Sequence, residues 1–428
     1  MRQFWISRRA ILQSLAVIII SPINSLRADG AVIPVKLTLL DKTTSSITFT
    51  ATSTATGMLY LEYGFQKNSL QYKSEILSIT PKVTRKIEIK DLKPDSVIYY
   101  RLKYMVGKSK SFLATAISNV STSKVLSTNT FAIQADPHMD ENSSEQVYVG
   151  TLKQIAAASP AFLMDLGDIF MVDKLQDKSE KNIRGRFELM KNYYQNLGEV
   201  PLKITLGNHD GELGYSKFNT KNFRREYFPE QTGDLAYFSF EGPDQLHVVL
   251  DPFTYTTENP KDDGWQWTLG KTQYDWLKAT LSASAATHKF IYIHHLLVGN
   301  AQSRGGVEIA HLNEWGGKNN DGSYGFDEKR PGWGKPIHQI LLDNKVSHVF
   351  KGHDHLYVKQ ELDGIIYQTL PQPSHPGDKL DVKQYGYLSG KGVGGSGFLK
   401  VTTVDKEAKV DFIKWDGSVA DSYTRSAT

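Results

Sequence analysis

The 428-residue sequence predicts a layered α/β domain preceded by a smaller all-β domain. Three observations point to this. Short β-branched and aromatic runs, separated by turn residues, fill the region from Val32 to Ala116. Beyond Thr130, apolar strand-like runs alternate with stretches of helical periodicity, the rhythm of sheets covered by helices. Five of those later runs end in clusters of Asp, His and Asn, where an α/β strand passes into a loop.

The amino terminus comes first. "ISRRAILQSLAVIIISPINSLRA" sets Arg8 and Arg9 after Ser7 and ahead of the apolar run Ala16 to Ile20. Paired arginines before a short apolar segment follow the twin-arginine export pattern, read here as a signal peptide over residues 1–28. The apolar run is too short to span a bilayer, and no second one follows. The expectation is a periplasmic or secreted bacterial protein without a transmembrane anchor after signal removal.

Composition sets further bounds. Hydrophobic residues at 40% and charged residues at 22% are those of an ordinary globular chain. A net charge of +4, with no basic stripe, gives no nucleic-acid-binding patch. Cysteine is absent, which excludes disulfides, thiolate metal sites and cysteine nucleophiles. Any metal site must use imidazole, carboxylate and amide.

Residues 30–116 read as a β-sandwich built from "VKLTLL", "SITFTATS", "MLYLEYG", "RKIEIKDL" and "IYYRLKYMV". The segment Leu92 to Leu102 resembles a fibronectin type III strand corner at Tyr99, Tyr100 and Arg101, with Ile98 where the corner tyrosine is usual. A polar stretch over 117–130 reads as a linker. The sequence names no partner for this small domain.

Residues 131–415 form the α/β domain, and 416–428 a tail. Its strands are "TFAIQ", "AFLMDL", "LKITL", "LHVVL", "KFIYI" and "SHVFK". Helical spacing appears at Tyr148, Leu152 and Ile155, and at Tyr274, Leu277 and Leu281. The strand ends carry "QADPH", "LGDIF", "LGNHD", "IHHLL" and "KGHDH", supplying Asp136, His138, Asp168, Asn208, His209, Asp210, His294, His295, His353 and His355. An extended segment would turn His353 and His355 to one side and Asp354 away from them. Oxygen and imidazole donors suit Zn, Mn or Fe. Two such ions, roughly 3.5–4 Å apart, can clamp both the entering and leaving oxygens of an in-line phosphoryl displacement.

The ordered blocks Asp-x-His, Gly-Asp, Gly-Asn-His-Asp, His and Gly-His-x-His, from Asp136 to His355, resemble the calcineurin-like metallophosphoesterase superfamily. That resemblance implies a double-sheet fold flanked by helices. It implies one metal on Asp136, His138 and His355, a second on Asn208, His294 and His353, and Asp168 between them. It places His209, held by Asp210, against the substrate phosphate. A preceding β-sandwich is similar to the purple acid phosphatase layout. The tyrosine ligand of those enzymes is replaced by Met171, and His138 stands where they have glycine. The tyrosinate colour is therefore not expected, and His138 is read as filling the vacant coordination position. His247, His288, His295, His338 and His348 read as structural; His311 and His375 are left open.

A long segment, Val298 to Lys335, separates the last two blocks. Trp315, Phe326 and Trp333 suit a segment packed down as a lid. Arg304, beside two glycines, could offer a bidentate contact to phosphate, or could simply be exposed. The functional expectation is a dimetal phosphoester hydrolase in which a bridging hydroxide attacks a small phosphorylated substrate, phosphomonoesters first. A phosphodiesterase or nucleotidase with the same site, and a binding protein with a vestigial site, are the alternatives.

Overall fold

Among the described residues, nine short strands come before the second unit: β1 (Val35–Lys42), β2 (Ile47–Ser53), β3 (Gly57–Gly64), β4 (Tyr72–Lys73), β5 (Leu77–Ile79), β6 (Arg85–Ile89), β7 (Val97–Val106), β8 (Leu113–Ala114) and β9 (Ser118–Ser121). The computed structural model describes residues 34–427 apart from 43–44, 94, 123–128, 141, 212–213, 215–216, 218–222, 229–234, 262, 300–302 and 379. The twin-arginine segment and its cleavage position lie outside the described residues.

One sheet of this unit has the order β1-β2-β6; the other has the path β4-β3-β7-β8, with β5 beside β3 and β9 beside β7. Alternate residues Ile47, Phe49 and Ala51, Leu59 and Leu61, and Ile87 and Ile89 are buried in one cluster, which the strand period of two requires. The expected linker starts later than the sequence suggests, because Ser118–Ser121 pairs antiparallel with β7. The chain divides into two compact units between Ser123 and Lys124.

The second unit carries β10 (Thr130–Gln134), α1 (Glu145–Ala157), β11 (Leu163–Asp165), α2 (Glu180–Tyr194), β12 (Leu202–Ile204), α3 (Phe223–Tyr227), β13 (Phe238–Gly242), β14 (Gln245–Val249), α4 (Gly270–Ala283) and β15 (His288–Ile293). It continues through α5 (Asn313–Gly316), α6 (Phe326–Lys329), α7 (Ile337–Asp343), β16 (His348–Lys351), β17 (Tyr357–Leu362), β18 (Ile365–Thr369), β19 (Lys391–Val393), β20 (Gly397–Val404), β21 (Glu407–Lys414) and β22 (Val419–Ser426). A six-stranded sheet runs β12-β11-β10-β20-β21-β22, and a seven-stranded one β13-β14-β15-β16-β18-β17-β19. The expected tail is thus mostly strand: β22 pairs with β21 and ends the first sheet.

The two sheets pack face to face. Phe131, Ile133 and Met164 of one share a buried cluster with Phe290, Tyr292 and Phe350 of the other. Their neighbours Ala132, Leu163, Val248, Ile291 and Val349 turn the opposite way, into the cluster holding α1, α2, α4 and α7. Helix α1 starts where Ser144 accepts the N–H of Val147 at 3.4 Å and Glu145 meets the positive helix end. The parallel strands β10, β11, β12, β15 and β16 therefore deliver their carboxyl ends to one edge of the double sheet.

Two buried histidines of this core make it acid-sensitive. Burial pushes His247 and His348 down to about 3. His348 lies flat against Phe350, ring centroids 5.3 Å apart. An unfolded chain protonates these imidazoles below about pH 6.5, whereas the folded chain does not until far lower. Each therefore withdraws stability as pH falls through that window, by about 1.4 kcal/mol per pH unit. His348→Phe should flatten the dependence of unfolding free energy on pH between 4 and 6 by about one proton, measured by urea unfolding. An unchanged slope would show that His348 titrates normally.

Candidate metal centre

Strand ends set the positions. Asp136 and His138 follow β10, Asp168 follows β11, Asn208 and His209 follow β12, His294 follows β15, and His353 and His355 follow β16. All converge. Ligand atoms of Asp136, His138 and His355 lie within 4.8 Å of one another, as do those of Asp168, His294 and His353. The Asp168 carboxylate sits between: its Oδ2 is 3.1 Å from His138 Nε2 and 3.4 Å from His294 Nε2. Asn208 Oδ1 is 3.1 Å from the same His294 nitrogen.

The pattern of donors is unusual. His294 Nδ1 donates to the carbonyl of Leu166 at 2.8 Å, which leaves Nε2 unprotonated in the neutral ring. That nitrogen then faces the oxygens of Asp168 and Asn208, acceptor against acceptor. Asp136 Oδ1 is buried with no hydrogen-bond partner, 3.7 Å from His355 Nε2 and 3.9 Å from His294 Nε2. Lone pairs converging on one buried volume fit divalent cations, and the carboxylate, imidazole and amide set suits Zn, Mn or Fe.

Without cations the protons redistribute. Burial raises Asp136 to about 6. Burial opposes ionisation of Asp168 too, but His294 and His209 carry it well below the usual carboxylate range. Burial likewise opposes protonation of His294, yet the Asp168 charge lifts it to about 9. His353 and His355 are held well below the ordinary imidazole value, by burial first and then by neighbouring imidazoles.

The backbone is forced to fit. Asp136, His138, Asp168, His353 and His355 all have positive φ, from 41° to 72°. Non-glycine residues avoid this region, at a cost of about 1–3 kcal/mol each, and clusters of them mark functional sites. The turn 352–356 is consequently not extended, and His353 and His355 enter different ligand groups rather than one face of a strand. Gly352 has another role than supplying a left-handed turn: a Cβ there would lie 2.6 Å from Asp136 Oδ2. At Gly207 it would meet Asp168 Oδ1 at 2.1 Å. Both glycines make room for carboxylates.

Asp210 does not hold His209. Its carboxylate turns inward and accepts the N–H groups of Asp168 (3.0 Å), Ile169 (2.8 Å), Phe170 (2.7 Å) and Gly207 (2.7 Å). Four backbone donors in two turns would otherwise be orphaned, and one carboxylate serves them all. The partner of His209 is Asp173, whose Oδ2 is 2.7 Å from His209 Nδ1. Burial opposes protonation of His209, but Asp168 and then Asp173 raise its pKa. His209 Nε2 lies 3.8 Å from Asp168 Oδ2 at the rim of the cluster.

Arg304 is anchored rather than loose. One terminal nitrogen donates to the carbonyl of His353 at 2.8 Å, and the guanidinium lies 4.5 Å from the centre of the Tyr385 ring. The insertion is packed down at its aromatic anchors Trp315 and Phe326, both fully buried, while much of 318–335 is exposed. Trp315 is fully buried and donates to Tyr367 at 2.9 Å, and Glu314 pairs with Arg330. Met171 is buried, with φ 52°. His295 is buried against Trp267, with ring centroids 4.3 Å apart, and burial pushes it down to about 3.

The family model described as calcineurin-like phosphoesterase matches residues 130–357, the stretch holding every one of these ligands. The chain belongs to that family. Its calcineurin-like unit includes the site, and the fold has solved likenesses over most of its length. A purple acid phosphatase, PPD1 from yellow lupin (Lupinus luteus) seeds, is 15% identical with a TM-score of 0.54, covering 92% of this chain and 74% of its own. PhoD is 13% identical with a TM-score of 0.52, covering 91% and 90%. At such identities the likeness is one of fold. No curated protein matches the chain.

Proposed function

We propose that this family member is an exported two-metal hydrolase of small phosphate esters, acting on phosphomonoesters first. The observation that carries this reading is the Asp168 carboxylate, flanked by His138 and by His294, whose same nitrogen also meets Asn208 Oδ1 from a third strand end. Asp136, His138 and His355 would hold one ion, Asn208, His294 and His353 the other, and Asp168 would serve both. Bound there, Zn, Mn or Fe would neutralise phosphoryl oxygens and make water a stronger nucleophile at neutral pH.

The side chains supply the rest. His209 holds a proton on the rim of the cluster, where a leaving oxygen needs one. Asp173 fixes its ring and makes Nδ1 the donor to the carboxylate, so that Nε2 is directed at the site. Arg304 stands beside the turn bearing both ligand histidines and offers positive charge to a phosphate. Purified protein reconstituted with each metal should hydrolyse aryl phosphomonoesters faster than aryl diesters. The reverse preference would make it a diesterase, and no hydrolysis of either would remove the enzyme reading.

Export is supported by Arg8 and Arg9 ahead of a short apolar run. Replacing both by lysine keeps the charge and should leave precursor in the cytoplasm. Normal export of that variant, blocked instead by Sec inhibition, would assign the other route. Among the described residues no helix is long and apolar enough to cross a membrane.

A further inference from the structure

Between the two ligand histidines of the turn lies a residue with no place in the metal groups. Asp354 is fully buried. Its Oδ2 accepts from Lys351 Nζ at 2.8 Å, from the Tyr387 hydroxyl at 2.5 Å and from the N–H of Gly305 at 3.1 Å. Its Oδ1 is 3.5 Å from Arg304 Nη1, the nitrogen that also donates to the His353 carbonyl. Lys351 is itself only 1% exposed. A buried lysine and carboxylate are costly to desolvate, and fold stability alone is a poor reason to keep them.

The contacts join three separate stretches of chain. One is the end of β16 with its turn; the second is the insertion at 304–305; the third is the segment around Tyr387. The last two are tied independently, since Glu308 accepts the N–H groups of Leu388 and Ser389, both at 2.9 Å. Arg304 stacks on Tyr385 of the same segment. The insertion and the later segment thus form one wall, and Asp354 is where that wall meets the turn.

We infer that Asp354 is a positioning residue that locks Arg304 to the turn bearing His353 and His355, so that the arginine binds substrate phosphate only while the aspartate is in place. The inference rests on the hydrolase reading above and adds the device that aims its phosphate-binding arginine. Charge-assisted contacts of this kind are directional, and a guanidinium that swings by an ångström or two loses its contact with the anion.

The test is a cycle of variants on the metal-loaded full chain, with inorganic phosphate as the probe in calorimetry and as a competitive inhibitor. Arg304→Ala and Asp354→Asn should each weaken phosphate binding, and raise KM, by about tenfold, the worth of one charge-assisted hydrogen bond. Turnover at saturation should change by less than about threefold, and metal content should stay that of the wild type. The double variant should be no weaker than either single one, because the two act as a unit. Multiplying losses, or a loss that follows metal content, would overturn the inference. Should Asp354→Asn fail to fold, Tyr387→Phe decides. It removes one donor to Asp354 and should weaken phosphate binding by about threefold, but not at all in the Arg304→Ala background. A wild type that binds phosphate but hydrolyses nothing would sink the hydrolase reading and leave the coupling measurable. A metal-loaded wild type that does not bind phosphate would sink the coupling itself.

Discussion

Asp168→Asn is expected to strip both ions and lower turnover by more than about 10³-fold, while leaving a folded protein. The carboxylate stands 3.1 Å from His138 Nε2 and 3.4 Å from His294 Nε2, so its loss strikes both ligand groups. Asparagine keeps the shape, and its amide can donate an N–H to either imidazole nitrogen. Metal-free wild type, however, pairs ionised Asp168 with protonated His294, so the metal-free variant, which loses that pair, should unfold at a lower temperature than metal-free wild type. Elemental analysis of fully loaded wild type should give two ions per chain, and its visible spectrum no tyrosinate band, since the resemblance to purple acid phosphatases sets Met171 where their tyrosine stands. One ion in a fully active chain would refute the shared-carboxylate arrangement. A purple holoprotein would show that some tyrosine ligates.

His209→Ala is expected to cost about 10²–10⁴-fold in turnover with both ions retained, the range for a positioned acid–base group. The loss should be greatest on alkyl phosphates, whose alkoxide leaves poorly without a proton. It should shrink on nitrophenyl phosphate, whose leaving group needs little protonation. Asp173→Asn should reproduce the same dependence on leaving group more weakly, because the ring loses its 2.7 Å anchor but not its nitrogen. Asp210→Asn should behave differently: it disturbs the four N–H groups that shape the turn around Asp168, and should lower metal content. Equal losses for His209→Ala on both substrates would mean that the imidazole only positions phosphate. Loss of an ion would make it a ligand, as its place beside His138 and Asp168 allows.

The strand-end ligands were legible because polar residues that interrupt an apolar strand leave a visible break. The blocks after β10, β11, β12, β15 and β16 all show it. Helices α1 and α4 were legible as well, since Tyr148, Leu152 and Ile155, and Tyr274, Leu277 and Leu281, are buried at the helical spacing the sequence shows. The sequence hides what depends on the turns between elements. Asp173 sits in a short 3-10 turn after Met171, and nothing in its neighbours separates it from an exposed loop carboxylate. Asp210, one residue from His209, invites pairing by proximity, whereas its oxygens are claimed by backbone donors, three from the loop after β11 and one, Gly207, from its own. Positive φ at Asp136, His138 and Asp168 is equally silent, since these residue types do not announce it as glycine would.

The order of strands in the first sheet has a consequence for how the molecule comes into being. Strand β10, which leads into Asp136, lies between β11 and β20, and its partner in the latter is far away along the chain: Thr130 meets Thr402, 272 positions later. A ribosome releases Asp136, Asp168 and His209 long before the residues that close their sheet exist. Until then β10 presents one bare edge, and such an edge invites pairing with the wrong chain. Closing so large a loop is entropically slow, which places this sheet among the late events of folding. A chain stopped short of Gly397 would carry every ligand named here and still lack the strand that supports the first of them.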